Sequence, residues 1–181
     1  MRLFKKDPNE AAARALYERA VAQARQPVFY RSLGVPDSLD GRFELIVLHV
    51  FLLLHRLRRQ RDETAELAQA LFDVLFLDMD VSLREMGAGD IGVSHKVKAM
   101  VQAFYGRVAA YEAGLQDNAE ALEQALARNL YGTVSAEPWQ LEAMAGYLRR
   151  EVAGLADQDT ACALEGRLAF GAAPEAGRDG Q

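Results

Sequence analysis

The stretch RFELIVLHVFLLLHRLRRQ, Arg42–Gln60, decides the fold. From Phe43 to Leu57 its apolar residues fall on nearly every face of a helix. A surface helix keeps one face polar, whereas this pattern demands neighbours on several sides. It predicts a central buried helix over residues 42–60, with Asp40 as its cap. The most apolar run, Leu45–Leu54, is broken by His49 and spans only about half of a bilayer core, so it reads as a core helix and not a membrane span. Cations follow (Arg56, Arg58, Arg59 and Arg61), and the next helix opens with Asp62, Glu63 and Glu66. Both placements suit the helix macrodipole. The functional alternative is a basic patch meeting anionic lipid or RNA.

On the N-terminal side, Ala13, Leu16, Tyr17, Ala20 and Ala24 form one stripe at helical spacing, from a start near Asn9 with Asp7 or Asn9 as cap, to a stop at Pro27. Residues 28–41, VFYRSLGVPDSLDG, read as an ordered loop, rich in turn formers and anchored by Phe29, Tyr30, Leu33 and Val35. On the C-terminal side a third helix covers about Glu63–Met79, with Leu67, Leu71, Val74 and Leu75 inward. A fourth is capped by Ser94, and its Val97, Val101, Phe104, Val108, Tyr111 and Leu115 make an a/d-type seam. Asp117 caps a fifth, which buries Ala119, Leu122, Leu126 and Leu130. Ser135 and Pro138 start a sixth with Leu141, Met144, Leu148, Val152 and Leu155 inward. A weaker seventh spans about 158–170, on Ala161, Leu164 and Leu168. The reading is all-α: a single helical-bundle domain of about six to seven helices over residues 1–170, with 171–181 a disordered tail.

A chain of 181 residues can bury a core without a metal or disulfide staple. Its formal charge of −5 argues against general nucleic-acid binding. Cys162 is its only cysteine, which fits a reducing compartment. A charged helix, and no apolar h-region, follows MRLFKKDP, so no signal peptide is expected.

The segment Leu77–Met100, LDMDVSLREMGAGDIGVSHKVKAM, crowds charge around Gly87, Gly89 and Gly92. Ser82 and Glu85 make a capping-box signature there for a short turn of helix. Asp78 and Asp80 stand two residues apart, which on a helix places them on different faces and prevents chelation of one ion. His49 and His55 are six apart, whereas two zinc ligands on one helix require i and i+4. His95 has no nucleophile beside it in sequence, and Cys162 no histidine. Gly87-Ala88-Gly89 has neither the preceding strand nor the lysine of a phosphate loop. No reaction class finds its parts, and no cofactor or metal is expected.

Three stretches nonetheless combine unusual residues. They are Tyr30-Arg31 with Gly34-Val35-Pro36-Asp37-Ser38 and Asp40-Gly41-Arg42-Phe43-Glu44; Leu48-His49 through His55-Arg56-Leu57; and Leu71-Phe72-Asp73, then Asp78-Met79-Asp80 with Ser82-Leu83-Arg84-Glu85-Met86-Gly87 and Gly89-Asp90-Ile91, continuing to Phe104-Tyr105-Gly106-Arg107. Over about Gln26–Tyr131 the chain resembles the ubiquinol–cytochrome c chaperone family, assembly factors for cytochrome b of the respiratory bc1 complex. The resemblance implies an all-helical, non-enzymatic protein that binds newly made cytochrome b. Mitochondrial relatives act on the matrix side of the inner membrane, with a small partner protein and at the ribosome. The short N-terminus here leads us to expect a bacterial cytoplasmic version at the cytoplasmic face of the inner membrane, with peripheral membrane contact at most.

Such a role needs a mixed polar and apolar surface, and loops on a rigid scaffold are the usual place for one. Residues 28–41 and 78–96 are expected to lie together and offer Tyr30, Arg31, Asp37, Arg42, Asp78, Asp80, Arg84, Glu85, Asp90 and Lys96 to the client. The competing reading pairs these charges internally to hold the fold. Two other classes remain: a helical scaffold or membrane-surface adaptor using Arg56–Arg61, and a metal-dependent hydrolase using Asp78, Asp80 and His95.

Overall fold

The central helix expected from the apolar run is α3, Leu39–Arg58, and most of its length is buried. The computed structural model describes residues 8–85, 87, 90–116 and 119–174, with the backbone alone at 90, 91 and 119. Among the described residues the protein is all-helical. Before α3 come α1 (Pro8–Ala24) and the short α2 (Pro27–Arg31); after it come α4 (Arg61–Glu85), α5 (Asp90–Gln116), α6 (Ala119–Asn129), α7 (Pro138–Ala156) and α8 (Thr160–Leu164). The helices α3 to α7 pack each on the next, and α7 returns to α3. Helix α1 lies across α3 and α4, burying Ala13, Leu16, Tyr17, Ala20 and Ala24 as its stripe requires.

Several boundaries differ from the sequence reading, each for a local reason. Ser38, not Asp40, caps α3, because its hydroxyl accepts from the Gly41 N–H at 3.1 Å. Pro27 ends α1 and also opens α2, since proline suits the first helical turn, so the expected loop is partly helical. Helix α4 runs on to Glu85, through Ser82, which therefore caps nothing. A glycine ends that helix: Gly87 adopts φ +84° and its N–H returns to the Arg84 carbonyl at 2.9 Å. Helix α5 already includes Ser94, so that residue is not its cap. The expected caps Asp7 and Asp117 lie outside the described residues. The a/d seam of α5 does face the core, with Phe104 and Tyr111 buried. Helix α5 meets α6 so closely that a Cβ on Gly114 would stand 2.7 Å from the Leu122 Cα.

The weak seventh helix shrinks to α8, with Ala161 and Leu164 exposed while Ala163 and Leu168 are buried. An irregular strap follows. Gln158 holds it from two sides, donating to the Ala169 carbonyl and accepting from its N–H, both at 2.8 Å. The strap continues into the expected tail: the Gly171 N–H donates to buried Glu151 at 2.8 Å, and Pro174 is buried. Residues 175–181 lie outside the described set.

Under the strap, His49 is fully buried. Its Nδ1 lies 2.7 Å from the Leu45 carbonyl, which can only accept, so Nδ1 carries the proton. Its Nε2 then accepts from the Tyr147 hydroxyl at 2.9 Å, and that hydroxyl accepts in turn from Gln23. The Phe29 and Phe170 rings stand edge-on to the imidazole, with centroids 5.5 and 5.2 Å away. Both ring nitrogens are satisfied in the neutral form, and burial drives the His49 pKa down from 6.5 to about 4. The folded state therefore binds fewer protons than the unfolded chain between those values, so this contribution to stability is complete above pH 6.5 and is lost as pH falls towards 4. Glu44 and Glu151, whose pKa values burial raises, act in the opposite sense. Comparison with His49→Gln isolates the histidine. Urea unfolding from pH 7 to 4 is expected to show the wild type losing on the order of 3 kcal/mol relative to the variant. Parallel pH profiles would show that His49 is not the titrating group.

Candidate functional site

A groove with a volume of about 1230 Å³ opens on the surface of the described residues. Five segments line it: the end of α1 with α2, the start of α3, the last turns of α4, α5 from Lys96 to Arg107, and the end of α6 with the turn after it. Its apolar part includes half-buried Phe43 and Ile46 of α3, Leu83 of α4 and Met100 of α5, with buried Met79 of α4 beneath. Residues of the 28–41 stretch line this groove, and so do Asp78, Met79, Ser82, Leu83 and Lys96 from the Asp78–Lys96 segment.

Of the sequence-derived client residues, Tyr30, Arg31, Asp37, Arg42, Asp78 and Lys96 line the groove. Arg42 donates to Asp37 at 2.6 Å, and this hydrogen bond holds the Asp37 carboxyl below its usual range. Asp78 accepts from the Tyr17 hydroxyl at 2.7 Å, and Tyr30 donates to the Ala24 carbonyl at 2.9 Å. Burial first, and then the Asp78 carboxylate, push the Tyr17 pKa upward. Asp80, Arg84 and Glu85 are not among the lining residues, because the longer α4 carries them on helical turns. Arg84 turns back to Asp80 at 2.6 Å, four residues away on the same helix. The Asp90 side chain lies outside the described residues. Internal pairing thus occurs within each segment, at Asp37–Arg42 and Asp80–Arg84.

Among the groove residues that escaped the sequence reading are Arg25, Met100, Arg107 and Arg128. Met100 and Arg107 continue from Lys96 at spacings of four and seven, a second helical stripe beside the a/d seam of α5. Arg107 reaches Glu44 of α3 through two parallel hydrogen bonds, that to Oε2 at 2.6 Å. Burial raises the Glu44 pKa, against the lowering effect of Arg107. Arg128, at the end of α6, carried no signal in its surroundings.

The expected basic patch divides. Arg56 is 3% exposed and donates to the Leu155 and Gln158 carbonyls at 2.7 and 2.6 Å, satisfying the end of α7, so it is not available to a surface patch. Arg58 joins His55 on Glu112 at 2.8 and 2.9 Å. Arg59 and Arg61 are exposed. The hydrolase set does not assemble: Asp78 is held by Tyr17, Asp80 by Arg84, and His95 is exposed on α5. Among the described residues no group of three or more His, Cys, Asp or Glu side chains is placed to hold a metal ion, and no helix is long and apolar enough to cross a membrane.

Fold and groove together define an all-helical protein whose surface offers a large cleft with an apolar floor and a charged rim. The chain belongs to the ubiquinol–cytochrome c chaperone family, whose model matches residues 31–170. It is similar to the crystal structure of the Cbp3 homolog from Brucella abortus, with TM-score 0.82 and 37% identity over 92% of each chain. It is also similar to ubiquinol-cytochrome-c reductase complex assembly factor 1 of Xenopus laevis, 24% identical over 78% of this chain and 70% of the relative. The Mus musculus protein of that name is 23% identical over 78% of this chain. The match covers 48% of that mouse protein, so this chain spans about half its length.

The Glu44–Arg107 pair ties two walls of the groove, and removing one partner strands the other's charge. Arg107→Ala is expected to destabilise the protein by roughly 3 kcal/mol in urea unfolding. Glu44→Gln combined with Arg107→Met is expected to recover much of that loss, because no charge is then left unpaired. An unchanged midpoint for Arg107→Ala would mean that the pair does not hold the walls together.

Proposed function

We propose that this protein is a non-enzymatic assembly factor for the respiratory bc1 complex, and that it holds newly made cytochrome b in the groove between α2, α3, α4 and α5. The observation that carries the reading is that groove. It lies almost wholly within the residues matched by the family model, and it offers apolar surface without a covering helix. A chaperone for a membrane protein has to shield apolar segments and then release them. A cleft with two methionines suits that task, since flexible thioether side chains adapt to different shapes. The names of the relatives point to the same complex. In a bacterium the protein would act at the cytoplasmic face of the inner membrane, as a peripheral protein, where cytochrome b emerges. A small co-chaperone and the ribosome are further proposed partners, by analogy with the mitochondrial members of the family.

Ala103 is exposed and lines the groove, so Ala103→Trp fills the cleft without disturbing the core. In a strain whose own copy is deleted, the wild-type gene is expected to restore the cytochrome b signal in reduced-minus-oxidised spectra of membranes. The Ala103→Trp gene is expected to fail, although its product accumulates and melts normally. Full restoration by Ala103→Trp would move the client away from the groove. An unchanged spectrum in the deletion strain itself would remove the assembly reading.

A further inference from the structure

The groove carries a charge pattern opposite to that of the whole chain. Its lining includes six Lys and Arg residues against four Asp and Glu, in a protein of formal charge −5. Three of the four carboxylates are already engaged: Asp37 by Arg42, Glu44 by Arg107, and Asp78 by the Tyr17 hydroxyl. Four cations, Arg25, Arg31, Lys96 and Arg128, are exposed and make no side-chain hydrogen bond or ion pair among the described residues. Arg25 directly follows α1, and Arg31, Lys96 and Arg128 belong to α2, α5 and α6, so the four line the cleft from different elements.

The form of the occupant follows from its backbone. An extended peptide must pair its N–H and C=O groups with a sheet edge, with side chains of the groove or with water. Among the described residues there is no strand to offer such an edge. A helix brings its own backbone hydrogen bonds and needs only an apolar stripe to place on Phe43, Ile46, Met79, Leu83 and Met100.

We propose that the groove recognises a short amphipathic helix of its protein client, with an apolar stripe flanked by Asp and Glu side chains that pair with Arg25, Arg31, Lys96 and Arg128. This specifies the chemistry of the client segment and rests on the reading of the groove as the client site. Apolar contact supplies the adhesion, and the cationic rim supplies orientation and choice between segments.

The test uses the full chain and labelled helical peptides of about four turns. One has a leucine stripe flanked by glutamates, and its counterpart has lysines in place of the glutamates. Fluorescence anisotropy is expected to show the glutamate peptide binding about tenfold or more tightly than the lysine peptide, with an advantage that shrinks as salt is added. The double variant Arg31→Glu with Lys96→Glu is expected to reverse the preference. Arg128→Glu, on another wall, is expected to weaken the glutamate peptide independently. Circular dichroism melts check that each variant is folded. Equal affinity for the two peptides, or an unreversed preference in the folded double variant, overturns the inference. So does binding of phosphatidylglycerol vesicles but neither peptide, which would make the rim a lipid contact.

The same double variant separates this inference from the assembly reading. If it loses the cytochrome b signal in membranes while neither peptide is recognised, the acidic helix falls and the assembly role stands. If the peptides are discriminated and the haem spectrum of the deletion strain is normal, the helix site stands and the assembly role falls.

Discussion

A helix with apolar residues on almost every face has to be enclosed, and the enclosure of α3 organises the remaining helices. Its aliphatic side chains could be covered in many ways, because hydrophobic burial has no direction. Its three buried polar residues leave far less freedom. Glu44 needs Arg107 of α5, His49 needs Tyr147 of α7 and Arg56 needs the carbonyl end of α7. Each of these bonds fixes rotation and height along α3. An unpaired polar group in such a place costs about 1–3 kcal/mol, and an unpaired charge more. Apolar area thus supplies the drive to pack, while three polar contacts select the arrangement.

The same helix explains the position of the groove. Near its start α3 is no longer wrapped all round: Phe43 and Ile46 are half-buried, whereas Leu48 to Leu53 are enclosed. Met79 and Leu83 of α4 and Met100 of α5 line the groove beside that end. The cleft is in this sense the unfinished end of the core. Its floor has the composition of the interior and its rim that of the surface. Such a boundary can hold an apolar segment by continuing the packing of α3, with no lid or rearrangement required.

How far the sequence discloses this depends on the signal each part carries. The central helix, the α1 stripe and the α5 seam were legible because burial imposes a period that few alternatives reproduce. The end of α4 was misread because Asp78, Ser82 and Glu85 are residue types that also cap helices. No glycine or proline before Gly87 forces a stop, and Gly87 takes a positive φ. Extending that helix removed Asp80, Arg84 and Glu85 from the expected surface, while Asp78 and Lys96 stayed on it. Met100 and Arg107 were readable as a second stripe along α5. Arg128 was not, since its place depends on how α6 meets α5, which no local pattern encodes. Arg56 shows the converse: a cation at a helix end looks like surface until the carbonyls of another helix arrive beside it.

That meeting of α5 and α6 is a matter of spacing, and the spacing is set by an atom that is missing. Gly114 lets the two backbones approach to a distance at which any side chain would collide with Leu122. Helix α5 and the end of α6 both contribute to the lining, so the spacing fixed at this contact bears on the cleft although Gly114 itself is not in it. Under the proposed function, selectivity by size would therefore be inherited from a buried position outside the lining. The lining would keep its charges and its methionines while the calibre of the cleft drifted with the volume of one residue behind it.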